Sequence, residues 1–134
     1  MSRLSLTGAR VILRGHDEPQ DAALHIAGGH IVAVGAEVPT DAEQVALPNL
    51  ILAPGIIDLG VFATDKPAFH FGGITRAALM PDQNPILDGP QSVQFAALKG
   101  KPDFWVHPLA AATKGLAGLE MAEIALMKEA GAKG

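Results

Sequence analysis

The stretch that most constrains this chain is Leu52–Phe62, LAPGIIDLGVF. It reads as an apolar strand entered through the Pro54-Gly55 turn and left through Asp58. The residue rhythm differs on its two sides. Before it, short apolar runs are bounded by Gly, His and Asp, as in a layer of β-strands. After it, strand-like runs alternate with helical ones, which argues for βα units and a parallel sheet. The chain is therefore expected to be α/β, with a boundary at residues 54–55.

From Leu4 to about Pro48 the expected strands lie in ARVILRG (Ala9–Gly15) and in AALHIAGGHIVAVG (Ala22–Gly35). Gly28-Gly29 is a two-residue hairpin signal, because glycine tolerates the positive φ that primed turns require. Alternation sets Leu24 and Ile26 on one face, then Ile31 and Ala33 opposite Val32 and Val34. Glu37–Glu43, with Pro39, Thr40 and Asp41, reads as a polar turn, and Gln44–Leu47 and Asn49–Leu52 as short strands. The sum is a small β-layer of four or five strands.

Beyond Pro54, Ile56–Val61 is the first strand and Thr75–Met80, after Gly72-Gly73, the second. Asp88 is placed to cap a helix with Pro90 in its first turn and Gln91–Lys99 as its body. Asp103–Ala110 reads as a third strand. Leu119–Ala130 is the strongest helical pattern, with Leu119, Ala122, Leu126 and Ala130 on one face. Glu120 and Glu123 come early, Lys128 late, and Gly131 is a natural stop, in the sense the helix dipole favours.

Composition narrows the classes. A net charge of −4 over 134 residues leaves no basic footprint for nucleic acid. With no cysteine, a disulfide framework and a thiolate metal site are both excluded. No apolar run approaches the ~20 residues needed to span a bilayer, and no leader pattern opens the chain; a cytoplasmic protein is expected. Apolar residues make up 49% of the chain but charged ones only 18%, below the typical ~25%. Two explanations stand side by side: an Ala- and Gly-rich chain, or one that leaves apolar faces for something else to cover.

Four segments, LHIAGGHIVAVG, LAPGIIDL, GGITRAALMPDQNP and ATKGLAGLEMAEIALMKEAGA, occur in an order and spacing that resemble the dihydroorotase family of metal-dependent cyclic amidohydrolases. The resemblance implies the N-terminal part of a (β/α)8 TIM-type barrel, residues 55–134, preceded by a small β-layer or partial β-sandwich, residues 1–54. In that family the layer is completed by C-terminal strands. About three of eight βα units are present, and three cannot close a barrel, because closure needs a full shear-matched ring. The chain looks like a portion of a longer protein or one half of a split one. Its expected partner is the remainder of the same barrel or a complementary chain, and an oligomer is expected.

In the family the first strand ends in Asp-x-His-x-His, and the two histidines hold zinc. Residues i and i+2 of a strand point the same way, so two imidazoles converge on one ion. The ion lowers the pKa of bound water and polarises the amide carbonyl. The matching positions here are Gly60 and Phe62, neither of which can bind zinc, so no metal ligand and no cofactor are expected in this segment. The family's arginine for the substrate carboxylate, two residues beyond the second histidine, is replaced by Thr64. The first Asn of its Met-Pro-Asn-Thr-Asn-Pro motif is replaced by Asp82, which would repel a carboxylate substrate.

The remaining histidines offer one alternative. His70, expected in the loop between the first two strands, and His107, near the end of the third, could share the C-terminal face where barrel sites sit, although neither has a partner at ligand spacing. His16, His25 and His30 are expected at the surface or in the hairpin. Asp58 is expected to keep a structural hydrogen bond, and Lys114-Gly115 to form a turn. Phosphate-loop, nucleophile-elbow and dinucleotide patterns are absent.

Two functions follow from the resemblance. The first is a catalytically inactive dihydroorotase homologue of pyrimidine biosynthesis that supports a partner such as aspartate transcarbamoylase. The second is an active zinc-dependent cyclic amidohydrolase whose ligands come from beyond residue 134.

Overall fold

A computed structural model describes residues 3–35 and 37–134. The chain divides into two compact units, Met1–Pro54 and Gly55–Gly134. It is a mixed α/β chain, and among the described residues no helix is long and apolar enough to cross a membrane.

The first unit holds strands β1 (Arg3–Thr7), β2 (Arg10–Val11), β3 (Gln20–Asp21), β4 (Ala23–Ala27), β5 (His30–Gly35), β6 (Glu43–Ala46) and β7 (Ile51–Leu52). They form a four-stranded sheet, β5-β4-β1-β6, and a three-stranded one, β3-β2-β7. Among the described residues the expected four or five strands are thus seven. ARVILRG keeps only Arg10–Val11 as strand, because the chain turns where the His16 amide donates to the Leu13 carbonyl and Gly15 takes φ +86°. Gly28 and Gly29, at φ +58° and +79°, make the β4–β5 turn, closed by the Ala27–His30 pair. His30 Nδ1 lies 3.0 Å from the Gly28 carbonyl. The simple alternation across this hairpin fails. His25 pairs with Ala33 but Ile26 pairs with Ile31, so Val32 is an extra residue in the ladder.

His25 corrects a second expectation. It lies in the interior rather than at the surface, 6% exposed, with Nδ1 2.9 Å from Ser5 Oγ and Nε2 without a partner. The register explains this, since Ser5 and His25 face each other across β1 and β4.

The second unit runs β8 (Ile56–Val61), α1 (Lys66–Gly72), β9 (Ile74–Leu79), α2 (Pro90–Leu98), β10 (Trp105–Pro108) and α3 (Ile124–Glu129), with a 3-10 turn at Lys114–Leu116. The strands make a parallel sheet ordered β10-β9-β8. Val61, Ala77, Leu79 and Val106 from the strands are buried in one cluster with Phe69 of α1, Val93 and Ala96 of α2, and Met127 of α3. The Phe69 and Phe104 rings sit 4.7 Å apart, tilted.

Helix α1 occupies a stretch expected to be loop. Its signals are local: Asp65 Oδ1 accepts from the Ala68 amide at 3.2 Å, Pro67 fits the first turn, and Gly73 at φ +69° ends it. Helix α2 forms near its expected place, but Gly89, not Asp88, is its N-cap. Asp88 Oδ2 instead accepts from the Gly115 amide at 2.8 Å. The expected Leu119–Ala130 helix shrinks to Ile124–Glu129. Thr113 bridges Met121, the Lys114 amide donates to Glu120 and the Ala122 amide to Ala112, so residues 120–122 are held extended. The third strand is likewise trimmed to Trp105–Pro108, after a turn in which the Phe104 amide donates to Gly100.

Candidate functional site at the C-terminal ends of the parallel strands

Three of the four positions singled out in the sequence meet at the ends of β8 and β9. The Met80 amide donates to the Val61 carbonyl at 2.9 Å. Gln83 then donates its side-chain amide to the carbonyls of Phe62 and Met80, both at 3.1 Å. Gly60, Phe62 and Asp82 therefore share one end of the sheet, and Thr64 follows, just before the Asp65 cap of α1.

The strand end itself is irregular. Asp58 pairs with Ala77 and Val61 with Leu79, so three steps on β8 oppose two on β9. Asp58 Oδ1 accepts from the Gly60 amide at 3.0 Å inside this bulge, the structural hydrogen bond expected of it. A Cβ at Gly60 would meet nothing within 4 Å, so the space for a side chain exists and the side chain does not. Phe62 is 66% exposed, and Asp82 is exposed in its turn. Neither Gly60 nor Phe62 carries a side-chain lone pair, so the side chains at these two positions do not fit zinc. Among the described residues, no three His, Cys, Asp or Glu side chains gather as a ligand set.

The structure does not bring His70 and His107 together. His70 lies on α1, with its ring edge-on to Phe71 at 5.6 Å, immediately before the start of β9. His107 lies on β10 opposite Ala78, toward the other end of β9. Four strand residues separate these levels, about 13 Å at ~3.3 Å per residue.

What gathers around His107 was not singled out in the sequence. Arg76 Nη1 lies 3.4 Å from His107 Nε2, and its guanidinium sits 5.6 Å from the Trp105 ring centre. The Lys101 ammonium lies 3.7 Å from the same ring. The register sets Arg76 opposite Trp105 and Ala78 opposite His107, so these side chains share one face of the sheet. The sequence offers only a partial signal, a charged Arg76 and a His107 inside two short, mostly apolar strands, and the register between those strands is what sets them on one face.

Burial, then the charge of Arg76, then that of Lys133, hold the His107 imidazole below its ordinary value of 6.5. The ring is neutral at pH 7 and Nε2 accepts from Arg76. The unfolded chain takes up the proton first as pH falls. The stability tied to this neutral ring is thus fully present above about pH 6.5 and lost as pH drops through the folded value. An NMR titration should give His107 a midpoint below 6.5, raised but not fully restored in Arg76→Ala, because burial and Lys133 remain. An unchanged midpoint in that variant would remove Arg76 from the account.

Lys114 donates to Glu120 Oε1, and this hydrogen bond is the main cause that raises the Lys114 pKa. Gly115 takes φ +60° within the 3-10 turn. Lys114-Gly115 thus forms the turn its sequence suggested.

No family model matches the chain. It is 31% identical to a dihydroorotase of Syntrophotalea carbinolica, over 96% of this chain and 34% of that protein. A dihydroorotase-like protein of Pseudomonas aeruginosa is 30% identical, again over 96% of this chain and 34% of the relative. The chain thus spans about a third of the length of the curated relatives it matches. Among solved structures, L-hydantoinase (dihydropyrimidinase) from Arthrobacter aurescens superposes with a TM-score of 0.72 over 98% of this chain and 32% of that one, at 18% identity. A dihydroorotase superposes at 0.56, over 84% of this chain and 32% of that one, at 16% identity. At those identities the structures speak for the fold alone, and the curated sequences carry the relationship: over about a third of their length, the chain is related to the dihydroorotase family.

Proposed function

We propose that residues 55–134 are the first three βα units of a TIM-type amidohydrolase barrel, and that the chain is a non-catalytic dihydroorotase homologue serving as a structural partner in pyrimidine biosynthesis. The observation that carries this reading is the end of β8. The two positions where the resemblance calls for zinc-binding imidazoles hold Gly60 and Phe62, at a bulge closed by Asp58. Asp82 adds to it, because a carboxylate stands where the substrate's own carboxylate would be gripped. The partner proposed is aspartate transcarbamoylase, in a cytoplasmic oligomer. Zinc belongs to the family's chemistry and has no proposed role at these residues.

The test has two arms. Zinc-supplemented protein is assayed for ring opening of dihydroorotate, and its migration with aspartate transcarbamoylase is followed by native mass spectrometry. The expected result is no zinc-dependent turnover and a joint complex. Turnover abolished by a chelator would overturn inactivity and favour the rival reading, an active hydrolase with ligands from beyond residue 134. Migration apart from aspartate transcarbamoylase would overturn that partner.

A further inference from the structure

The β8–β9–β10 sheet is covered by helices on the face of Val61, Leu79 and Val106 and bare on the face of Ile57 and Leu59. At its C-terminal ends the segments that leave the three strands are tied to one another. The connection from β9 to α2, residues 80–89, makes the ties in both directions. Toward β8, the Gln83 side-chain amide donates to the Phe62 carbonyl and also to that of Met80. Both acceptors are carbonyl oxygens, so the amide nitrogen, not its oxygen, must face them. Toward β10, the Asp88 carboxylate accepts from the Gly115 amide, 27 residues along the chain. The Ala111 amide donates to the Leu87 carbonyl at 2.8 Å on the same side.

The two ties are joined within the connection itself. The Pro81 carbonyl accepts from the Gln83 amide at 2.8 Å and from the Leu87 amide at 3.0 Å. The residue that bears one tie and the neighbour of the residue that bears the other thus hang on a single oxygen. Leu87, 3% exposed, anchors this loop in the core, and Ser92 Oγ donates to the Gly89 carbonyl at 2.9 Å where α2 begins. Gln83 and Asp88 are both half-buried. A partly desolvated amide or carboxylate that loses its partner is costlier than one left in open water. The segment that Asp88 holds is bent as well: Gly115 takes φ +60° and Leu116 φ +56°. Leucine avoids that region, so contacts from outside the turn must keep it there.

We propose that residues 81–88 are a two-point strap, with Gln83 and Asp88 as its clasps, that makes the segments leaving β8, β9 and β10 move as one. Releasing either clasp loosens the segment that it does not touch. Every contact in the strap lies within residues 55–134, so the device belongs to this stretch whatever surrounds it. It goes beyond the non-catalytic reading and does not depend on it. Coupling of this kind is reciprocal: the free energy with which one clasp supports the other is the same from either end.

The test is amide hydrogen exchange on the whole chain, read residue by residue by NMR. One reporter is the Met80 amide, which donates to Val61 beside the Gln83 clasp; the other is the Lys114 amide, which donates to Glu120 beside the Asp88 clasp. Gln83→Ala and Asp88→Ala should each speed exchange at both reporters, by about fivefold or more at the distant one. Asp88→Asn keeps an oxygen for the Gly115 amide and should restore most of the protection at both. Gln83→Glu keeps the side chain's length but sets a carboxylate against two carbonyl oxygens. It should loosen both reporters more than Gln83→Ala does. Exchange at Ala77, fully buried in β9, should stay unchanged, which marks the opening as local. Faster exchange confined to the nearer reporter, an equal rise at Ala77, or an Asp88→Asn variant as loose as Asp88→Ala would overturn the proposal. These readings involve neither turnover nor a partner, so the strap and the proposed function can fail separately.

Discussion

Leu79→Ala should destabilise residues 55–134 by about 2–5 kcal/mol. Leu79 is 0% exposed at the centre of the parallel sheet, paired with Val61 on one side and Pro108 on the other. Its side chain belongs to the cluster that Phe69, Val93 and Met127 complete from three helices. Truncation loses the transfer energy of the removed carbons and leaves a cavity that the sheet and its packed helices cannot easily close. Against a typical domain stability of about 5–15 kcal/mol, that is a large share. Urea unfolding followed by the fluorescence of Trp105, the one tryptophan of the chain, reports on this unit directly. Leu59→Ala is the matched comparison, the same change on the bare face of the same sheet, and should stay within about 0.5 kcal/mol. A loss below about 1 kcal/mol at Leu79, or equal losses at both leucines, would mean that the covered and bare faces have been assigned wrongly.

That contrast between two leucines marks what the sequence made legible and what it did not. The boundary near Pro54, the β8 strand at Ile56–Val61 and the Gly28-Gly29 hairpin were readable because each rests on a short-range signal: a turn residue with its required φ, or a bounded apolar run. Helix α1 had such a signal too, in Asp65, Pro67 and Gly73, but seven residues offer too little periodicity to outweigh a loop reading. Leu119–Ala130 failed the other way. Its helical period is real, yet the Thr113–Met121 bridge and the Ala122–Ala112 hydrogen bond hold its first half extended, and no local propensity reveals a tertiary contact of that kind. The same limit applies at the site. Gly60, Phe62, Thr64 and Asp82 could be named because a motif fixed their places. Arg76, Trp105 and His107 became a cluster only when the β9–β10 register set them on one face. His25 needed the same information, because its partner Ser5 lies twenty residues away across a strand pair.

The second large effect is expected at Gly55, where two of the sequence segments touch. Gly55 closes the Pro-Gly turn into β8, and Thr75 belongs to the segment that follows Gly72-Gly73. The Ile56 amide donates to the Gly73 carbonyl at 2.9 Å, so the two turns are tied together. A Cβ added at Gly55 would fall 2.7 Å from Thr75 Cβ and closer still to its Cγ2 and Oγ1. Rotating χ1 of Thr75 can move the outer atoms but not Cβ, which is fixed to the β9 backbone. Gly55→Ala should therefore displace one strand from the other and cost about 1–3 kcal/mol. The clash predicts an order of rescue. Thr75→Ala removes the outer atoms and leaves the Cβ contact, so it should recover part of the loss. Thr75→Gly removes all three atoms and should recover more, despite weakening the strand in its own right. In a double-mutant cycle, the Gly55→Ala and Thr75→Gly pair should show a favourable coupling of about 1–3 kcal/mol. Additive losses would mean that the glycine serves the turn's backbone alone. Coupling would mean that the Pro-Gly turn and the Gly-Gly-Ile-Thr segment are kept together by a shared volume, which is a physical reason for both motifs to occur in one chain.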